Sequence, residues 1–103
     1  MKMIYSIHHI PIRITDERLY HIISNHPELQ NMDDEIEKTL TDPDLIQEGD
    51  FGELLAIRLY PKTPITENKY LVVVYKETKQ DGFIITAYYT SMFSKRRKVI
   101  WKR

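Results

Sequence analysis

Cysteine is absent from the 103 residues of this chain. Neither a disulfide framework nor a thiolate metal site is therefore available, which fits a reducing compartment, and we expect a cytoplasmic protein. Long apolar runs are also absent, since no stretch approaches the roughly 20 apolar residues of a membrane span. The opening segment MKMIYSIHHIPIRI is not expected to act as a secretory signal, because His8, His9 and Pro11 interrupt its apolar residues. We expect no membrane partner.

Several motifs for phosphate, hydrolase and metal chemistry are missing as well. There is no glycine-rich phosphate loop, no G-x-S-x-G elbow and no cysteine nucleophile. The four histidines do not form a zinc motif. His8 and His9 are adjacent and would point oppositely on a strand. His21 and His26 are five residues apart, whereas H-E-x-x-H places its histidines four apart. We expect no metal and no other cofactor.

Net charge of one sign is also lacking, because 15 basic and 15 acidic side chains give a formal charge of zero. The acidic and basic side chains are nevertheless distributed unevenly along the sequence. Residues 28–53 carry ten acids against Lys38 alone, and residues 95–103 carry six bases and no acid. These stretches are either two solvated faces or, at the C-terminal segment, a surface for phosphates that includes Arg96, Arg97 and Lys98.

The length and the composition indicate one globular domain, residues 1–103, because this length supports one hydrophobic core and is too short for two. Thr15 is placed to cap a helix that Pro27 ends, and a second helix is predicted over about 32–40 with Asn31 as a possible cap. A short strand is expected within 1–11, limited by Pro11. Further strands are predicted at 53–60, 69–76, 83–90 and 99–101. Helices followed by hairpin-linked strands indicate an α+β fold with the helices on one sheet face.

The strand 83–90 is the most informative segment. Period two places Phe83, Ile85, Ala87 and Tyr89 on one face, and Ile84, Thr86, Tyr88 and Thr90 on the other. Three hydroxyl groups in a row can donate hydrogen bonds to phosphate oxygens, which suits a site for RNA. They are also simply good strand formers on a half-solvated face.

Three basic side chains invite a similar interpretation. Arg58 stands mid-strand between apolar neighbours, and beside the threonine-bearing strand it could clamp a phosphate; a surface arginine on the open sheet face is the alternative. Lys76, at a strand end, is a weaker candidate for contact with RNA. His26 shares the apolar face of its helix, where a histidine is more often a packed or capping residue than a catalyst.

Six segments of the chain also follow a known order. They are ERLYHIISNHPEL (17–29), EIEKTLTDPDLI (35–46), LAIRLYP (55–61), KYLVVVYK (69–76), GFIITAYYT (82–90) and VIW (99–101). Over roughly residues 12–102 the sequence resembles the phage-associated branch of the barnase, EndoU, colicin and RelE-like (BECR) nuclease superfamily, which includes the RelE-like toxin ribonucleases. The most specific pieces are the HPE tripeptide, the "TL, then PD" helix exit and the T-A-Y-x-T strand.

The resemblance implies two N-terminal helices packed on one face of a curved four- to five-stranded antiparallel sheet. It implies a metal-independent endoribonuclease of toxin or phage-associated type, in which the ribose 2′-OH attacks the adjacent phosphate. A cognate antitoxin or immunity protein would then be a partner. One departure is the neutral charge, since RelE-like toxins look strongly basic.

By motif, five residues fall on catalytic positions of that superfamily. The resemblance implies Arg58 as phosphate clamp, Thr86 and Thr90 as phosphate donors, and His21 or His26 as acid or base. An inactive relative that binds RNA or protein is the alternative, and it is favoured if these residues scatter over the two sheet faces. A module that binds a partner through the acidic helix is a third hypothesis.

Overall fold

The computed structural model describes residues 2–103, which form two helices, a short 3-10 turn and seven strands. The helices are α1 (Asp16–Asn25) and α2 (Asp33–Thr41), with the 3-10 turn Pro27–Leu29 between them. The strands are β1 (Lys2–Tyr5), β2 (Pro11–Ile14), β3 (Leu45–Glu48), β4 (Leu54–Lys62), β5 (Glu67–Glu77), β6 (Gly82–Thr90) and β7 (Val99–Lys102).

All seven strands of this range belong to one sheet, in the order β1-β2-β6-β5-β4-β3-β7. Neighbouring strands are antiparallel except β2 and β6, which are parallel. The sheet curls into a half-barrel. The predicted four- to five-stranded antiparallel sheet is therefore wrong in strand number and in strand direction.

The extra strands at one edge come from the first residues of the chain. Pro11, expected to limit a strand, instead begins β2, where its missing N–H is tolerated. Ser6 organises the preceding turn: its backbone N–H donates to the Ile10 carbonyl at 3.0 Å, and its hydroxyl accepts from the N–H groups of His8 and Ile10. The hairpin then joins β6 through parallel pairing between residues distant in sequence, which no local pattern reveals.

The predicted N-cap residue is correct for α1 and wrong for α2. Thr15 caps α1 as predicted, because its Oγ1 accepts from the backbone N–H of Arg18 at 3.1 Å. Asn31 does not cap α2. It has a left-handed φ of 64°, and the cap position belongs to Met32, without a side-chain hydrogen bond.

The two faces of the sheet are covered differently. We call the side against α1 and α2 the helix face. Its main core joins helix residues to alternate strand residues: Ile22, Leu29, Ile36, Leu40, Ile12, Leu71, Val73, Tyr75, Ile84, Ala87 and Tyr89. The other side, the open face, carries a smaller cluster formed by Leu55, Ile57 and Val72.

Residues 91–98, which connect β6 to β7, cross part of the open face, and we call them the strap. Phe93 packs edge-on against Tyr70, with ring centroids 5.0 Å apart. The Gln47 amide donates to the Ser94 carbonyl at 2.7 Å, and the Glu48 N–H donates to the Lys98 carbonyl at 2.9 Å. The strap therefore covers the open face over β5, β4 and β3.

The open face is uncovered at β1, β2 and the first residues of β6. Met3, Tyr5 and Phe83 are 46%, 57% and 46% exposed, and Arg13 and Lys76 are exposed beside them. We call these five residues the free part of the open face. None of the helices in residues 2–103 is long and apolar enough to cross a membrane.

Candidate functional site

The hydroxyl row of β6 lies on the open face. Thr86, Tyr88 and Thr90 pair with Val74, Val72 and Tyr70 of β5, all of which belong to the open-face cluster or pack against it. The three hydroxyl-bearing side chains are half-buried. The alternation expected for residues 86–90 is therefore confirmed, and it separates Tyr88 from its neighbour Tyr89, which is part of the main core.

A bulge in β6 changes the faces upstream of this row. The register with β5 shifts between Val74 and Tyr75, so that Thr86 pairs with Val74 but Ile84 pairs with Tyr75. Ile84 consequently enters the main core. The prediction that Ile84 shares the face of Thr86 is wrong, because the extra residue resets the alternation. Phe83 moves to the open face for the same reason.

His26, at the end of α1, is beside the hydroxyl row. Its ring centroid lies 6.1 Å from that of Tyr88, and its Nδ1 is 3.6 Å from the Glu28 carboxylate. Pro27 ends the helix and fixes the chain reversal that brings this imidazole and this carboxylate together. His26, Glu28 and Tyr88 thus combine an imidazole, a carboxylate and a phenol at one place.

His21 is not part of that group in the contacts of residues 2–103. Its Nε2 is 3.8 Å from the Glu17 carboxylate one turn earlier, and its ring stands edge-on to Tyr20. The side chain is exposed on α1. Of the two histidines that the sequence offered, only His26 contacts the hydroxyl row.

Arg58 lies on the helix face, opposite to Thr86 and Thr90. It pairs with the buried core residue Leu71, and its guanidinium is bound to Asp42 at the C-terminus of α2. An arginine in this position cannot also stand beside the threonine row. The sequence pattern correctly set Arg58 apart from Leu55 and Ile57, but it could not tell that the helices cover this side.

The basic side chains of the strap have different environments. Arg97 pairs with Asp50, at 3.2 Å, and Lys95 lies over the Phe93 ring, 4.3 Å from its centroid. Arg96 and Lys98 are exposed. Arg96 and Lys98 are therefore the strap residues most accessible to an anionic ligand.

Lys76 and Lys69 lie on β5, at opposite ends of the row. Lys76 pairs with Phe83 and is exposed in the free part of the open face. Lys69 is near the other end, where its ammonium group donates to the Ser91 hydroxyl. Lys69 precedes Tyr70 and pairs with Tyr60 of the helix face, so positive charge on the open face is available only at the Lys76 end of the hydroxyl row among these two lysines.

Sequence reasoning missed a second group of residues at the edge of β6. Arg13, Arg18 and Phe83 line one cleft together with Thr15 and Ile84. The polar Arg13 between Ile12 and Ile14 is a strand signal that could have identified an outward-facing arginine. Its closeness to Phe83 depends on the parallel pairing of β2 with β6, which the sequence did not reveal.

Burial raises the pKa of tyrosines in the helix-face core, among them Tyr89, which lies between Tyr88 and Thr90 on β6. Desolvation raises the pKa of Tyr89 to about 12, and the nearby carboxylate of Glu35 adds to the shift. Its hydroxyl is 3.7 Å from the Met32 sulfur. Tyr89 is therefore a neutral core residue near pH 7 and not a proton donor to a ligand on the open face.

Within residues 2–103, no three histidine, aspartate or glutamate side chains are grouped so that they could hold a metal ion. Comparison with protein-family models, with curated proteins and with solved structures gave no match.

Proposed function

We propose that this protein binds single-stranded RNA on the open face, along β6, as a binding module. One observation carries the proposal: exposed Phe83 continues into the row Thr86, Tyr88 and Thr90 on the same face, with Arg13 and Lys76 beside Phe83. An aromatic ring, hydroxyl donors and flanking cations are the groups that a single strand needs. The donors here are Thr86 and Tyr88, because the Thr90 hydroxyl already donates to the Met92 carbonyl at 2.9 Å. We further propose that it acts in the cytoplasm, which the lack of cysteine fits.

Each group has a different task in this proposal. Stacking of a base on an exposed aromatic ring contributes about 1–3 kcal/mol and tolerates any base. The hydroxyl groups of Thr86 and Tyr88 donate to phosphate oxygens or exchange hydrogen bonds with the ribose 2′-OH. Arg13 and Lys76 add the salt-dependent attraction to the backbone. The position of Arg58 on the other face favours binding over a catalytic site that includes it.

Fluorescence anisotropy with a labelled single-stranded RNA of mixed sequence tests this proposal. We expect Phe83→Ala to weaken binding by about fivefold or more, from the loss of one stacked base. Phe51→Ala is the matched control, because Phe51 is 81% exposed but lies on the turn between β3 and β4. RNA binding that is absent, or equally reduced by the two variants, would contradict the proposal.

Metal-independent RNA cleavage is a second candidate function. Under this second proposal the chain is a relative of the RelE-like nucleases. The observation that favours it is the contact of His26 with Tyr88 and Glu28. In this reaction the 2′-oxygen loses its proton to a base and attacks phosphorus. The bond from phosphorus to the 5′-oxygen then breaks, and that oxygen gains a proton from an acid. His26 is placed for one of these proton transfers.

Incubation of the purified protein with total RNA in EDTA tests the cleavage proposal. The expected products carry 2′,3′-cyclic phosphate and 5′-hydroxyl ends. His26→Gln should abolish cleavage, and His21→Gln should leave it unchanged because His21 contacts Glu17 instead. Intact RNA with the wild-type protein, or equal loss in both variants, would eliminate His26 as the catalytic histidine and leave the binding proposal standing.

A further inference from the structure

The cleft at the edge of β6 exists because β2 and β6 separate early. Their parallel pairing covers only Ile12 with Gly82 and Arg13 with Phe83. After Ile14 the chain leaves the sheet through Thr15 and enters α1, while β6 continues. The space between them is a cleft of about 290 Å³.

Two arginines line this cleft from different elements. Arg13 projects from β2, and Arg18 comes from the first turn of α1. Thr15 lies between them in sequence and also lines the cleft. The positive end of the α1 dipole lies at the same place and adds to the attraction for an anion.

The acidic residues nearby do not cancel both guanidinium groups. The Arg13 guanidinium is 3.5 Å from the Asp81 carboxylate, and both side chains are about half exposed, so this pair is weak and solvent-screened. Asp16 and Glu17 in the first turn of α1 oppose an anion. Among the ion pairs within 4.0 Å in the part of the chain that the structure describes, none includes the Arg18 guanidinium.

The remaining walls of the cleft are apolar. Phe83 offers a ring that is 46% exposed, and Ile84 forms part of the floor. A ligand that fits these walls and both arginines has an anionic head and a flat apolar body. Ligand pockets of small molecules begin at about 300 Å³, so the cleft can hold one such unit and not an extended chain.

We propose that this cleft binds the terminal phosphomonoester of a nucleotide, with the phosphate between Arg13 and Arg18 and the base against Phe83. A phosphomonoester has a second pKa of about 6 and is therefore largely dianionic at pH 7. Two guanidinium groups match such a dianion better than the single charge of an internal phosphodiester. This inference rests on the proposed RNA binding, since Phe83 begins the row along which the strand would run.

The ligand can come from two sources, a free mononucleotide or the phosphorylated 5′ end of an RNA strand. Nuclear magnetic resonance titration of the ¹⁵N-labelled protein tests the shared chemistry first. Adenosine 5′-monophosphate should shift the amide signals of Arg13, Thr15, Arg18 and Phe83. Adenosine should bind at least about tenfold more weakly, because it lacks the charged group.

Substitutions separate the cleft from general positive charge. Arg18→Gln should weaken binding of adenosine 5′-monophosphate by about tenfold and leave adenosine unaffected. Lys38→Gln is the matched control, since Lys38 is exposed on α2 and its loss removes the same charge elsewhere. Unchanged melting temperatures confirm that both variants fold. No shifts in the cleft with adenosine 5′-monophosphate, or equal weakening by both variants, would overturn the inference.

A pair of RNA oligonucleotides with and without a 5′-phosphate distinguishes the sources. A gain of about tenfold for the phosphorylated strand that disappears in Arg18→Gln supports the RNA end as ligand. Binding of the mononucleotide with no such gain supports the free nucleotide. If RNA binds but neither the mononucleotide binds nor the 5′-phosphate increases affinity, the proposed nucleotide site in the cleft is overturned and the proposed function is left intact. Mononucleotide binding with no RNA binding contradicts the proposed function and supports the cleft as a nucleotide site.

Discussion

Arg58 joins strand β4 to the end of helix α2 through Asp42. The guanidinium donates to the backbone carbonyl of Asp42 at 2.5 Å and lies 3.3 Å from its carboxylate. The carbonyl groups at a helix C-terminus lack partners within the helix and carry partial negative charge. The Arg58 side chain is 19% exposed and the Asp42 side chain is 52% exposed, so this contact is shielded from water on the arginine side. Arg58 therefore connects the helix layer to the sheet.

We expect Arg58→Ala to lower the free energy of unfolding by about 1.5–3 kcal/mol, the range for hydrogen bonds to charged groups. Urea denaturation measures this. Arg103→Ala is the matched control, because Arg103 also contacts Asp42 but is 52% exposed, and its loss should cost under about 1 kcal/mol. Equal losses in the two variants would show that burial of the Arg58 contact contributes nothing.

Tyr75 offers a second test of the helix-face core. Its side chain is fully buried, and its hydroxyl has no hydrogen-bond partner among residues 2–103. A buried polar group without a partner costs about 1–3 kcal/mol. Tyr75→Phe should therefore leave stability unchanged or raise it by about 1 kcal/mol. Tyr60→Phe is the contrast and should destabilise, since the Tyr60 hydroxyl donates to the Glu35 carbonyl at 3.0 Å. A clear loss of stability in Tyr75→Phe would refute the prediction.

The pKa of Tyr89 predicts how stability responds to alkaline pH. Burial raises this pKa from 10.0 to about 12 in the folded protein. The folded state therefore holds the phenolic proton more tightly than the unfolded state. The stabilisation is complete below pH 10 and is lost as the pH rises from 10 to 12. Between pH 9 and pH 11, Tyr89→Phe should reduce this alkaline loss by about 1.3 kcal/mol, because pH 11 lies only one unit above the pKa of the unfolded state.

Urea denaturation at pH 9 and pH 11 measures the effect for the wild type and the variant. Tyr20→Phe serves as control, because the Tyr20 side chain is 70% exposed and should leave the pH dependence unchanged. The same slope of stability against pH in the wild type and in Tyr89→Phe would contradict the assignment of the shift to Tyr89.

Local patterns in the sequence predicted the elements better than the sheet. The N-cap at Thr15 and the alternation of Thr86, Tyr88 and Thr90 each depend on neighbours in sequence, and both are confirmed. The seven-stranded mixed sheet depends on the pairing of β2 with β6, about 70 residues apart, which no period of two or 3.6 encodes.

The residues of the candidate site were likewise predictable only where neighbours in sequence determine their position. The hydroxyl row follows from period two, but the face of Phe83 does not, because the bulge in β6 adds one residue upstream of Thr86. The role of Arg58 was ambiguous for a similar reason: its strand position was clear, but the layer that covers it was not. Residues brought together across strands, such as Arg13 and Phe83, were outside the reach of any local pattern.

Gly82 is a position where the packing forbids a side chain. A Cβ placed there would overlap the Lys76 carbonyl oxygen and lie 2.6 Å from the Ile12 Cδ1. Because the first obstacle is backbone, Gly82→Ala should cost about 2–3 kcal/mol and disturb the junction of β2 with β6. Gly52→Ala is the comparison: Gly52 has a φ of 83° with open space around it, so only the left-handed conformation is penalised, by about 1 kcal/mol. Thermal denaturation of both variants should rank them in this order, and the reverse order would refute the packing argument.

The strap predicts the salt dependence of RNA binding. Arg96 and Lys98 are exposed, whereas Arg97 is paired with Asp50. Each cation that neutralises a phosphate of a single strand releases counterions and contributes about 0.7 to the slope of log Kobs against log salt concentration. If both contact phosphates, the double variant Arg96→Ala, Lys98→Ala should reduce the magnitude of that slope by about 1.4.

Anisotropy titrations between low and moderate salt measure the slope, and the folded state is verified by the melting temperature. The double variant Lys38→Ala, Lys79→Ala is the matched control, since both lysines are exposed and lie outside the strap and the free part of the open face. The control variant removes the same net charge as the strap variant, so the long-range attraction for RNA decreases equally in both. Direct contacts with the phosphates are lost only in the strap variant. Equal slopes in the two double variants would show that the strap contributes overall charge to RNA binding and no direct contact with the phosphates.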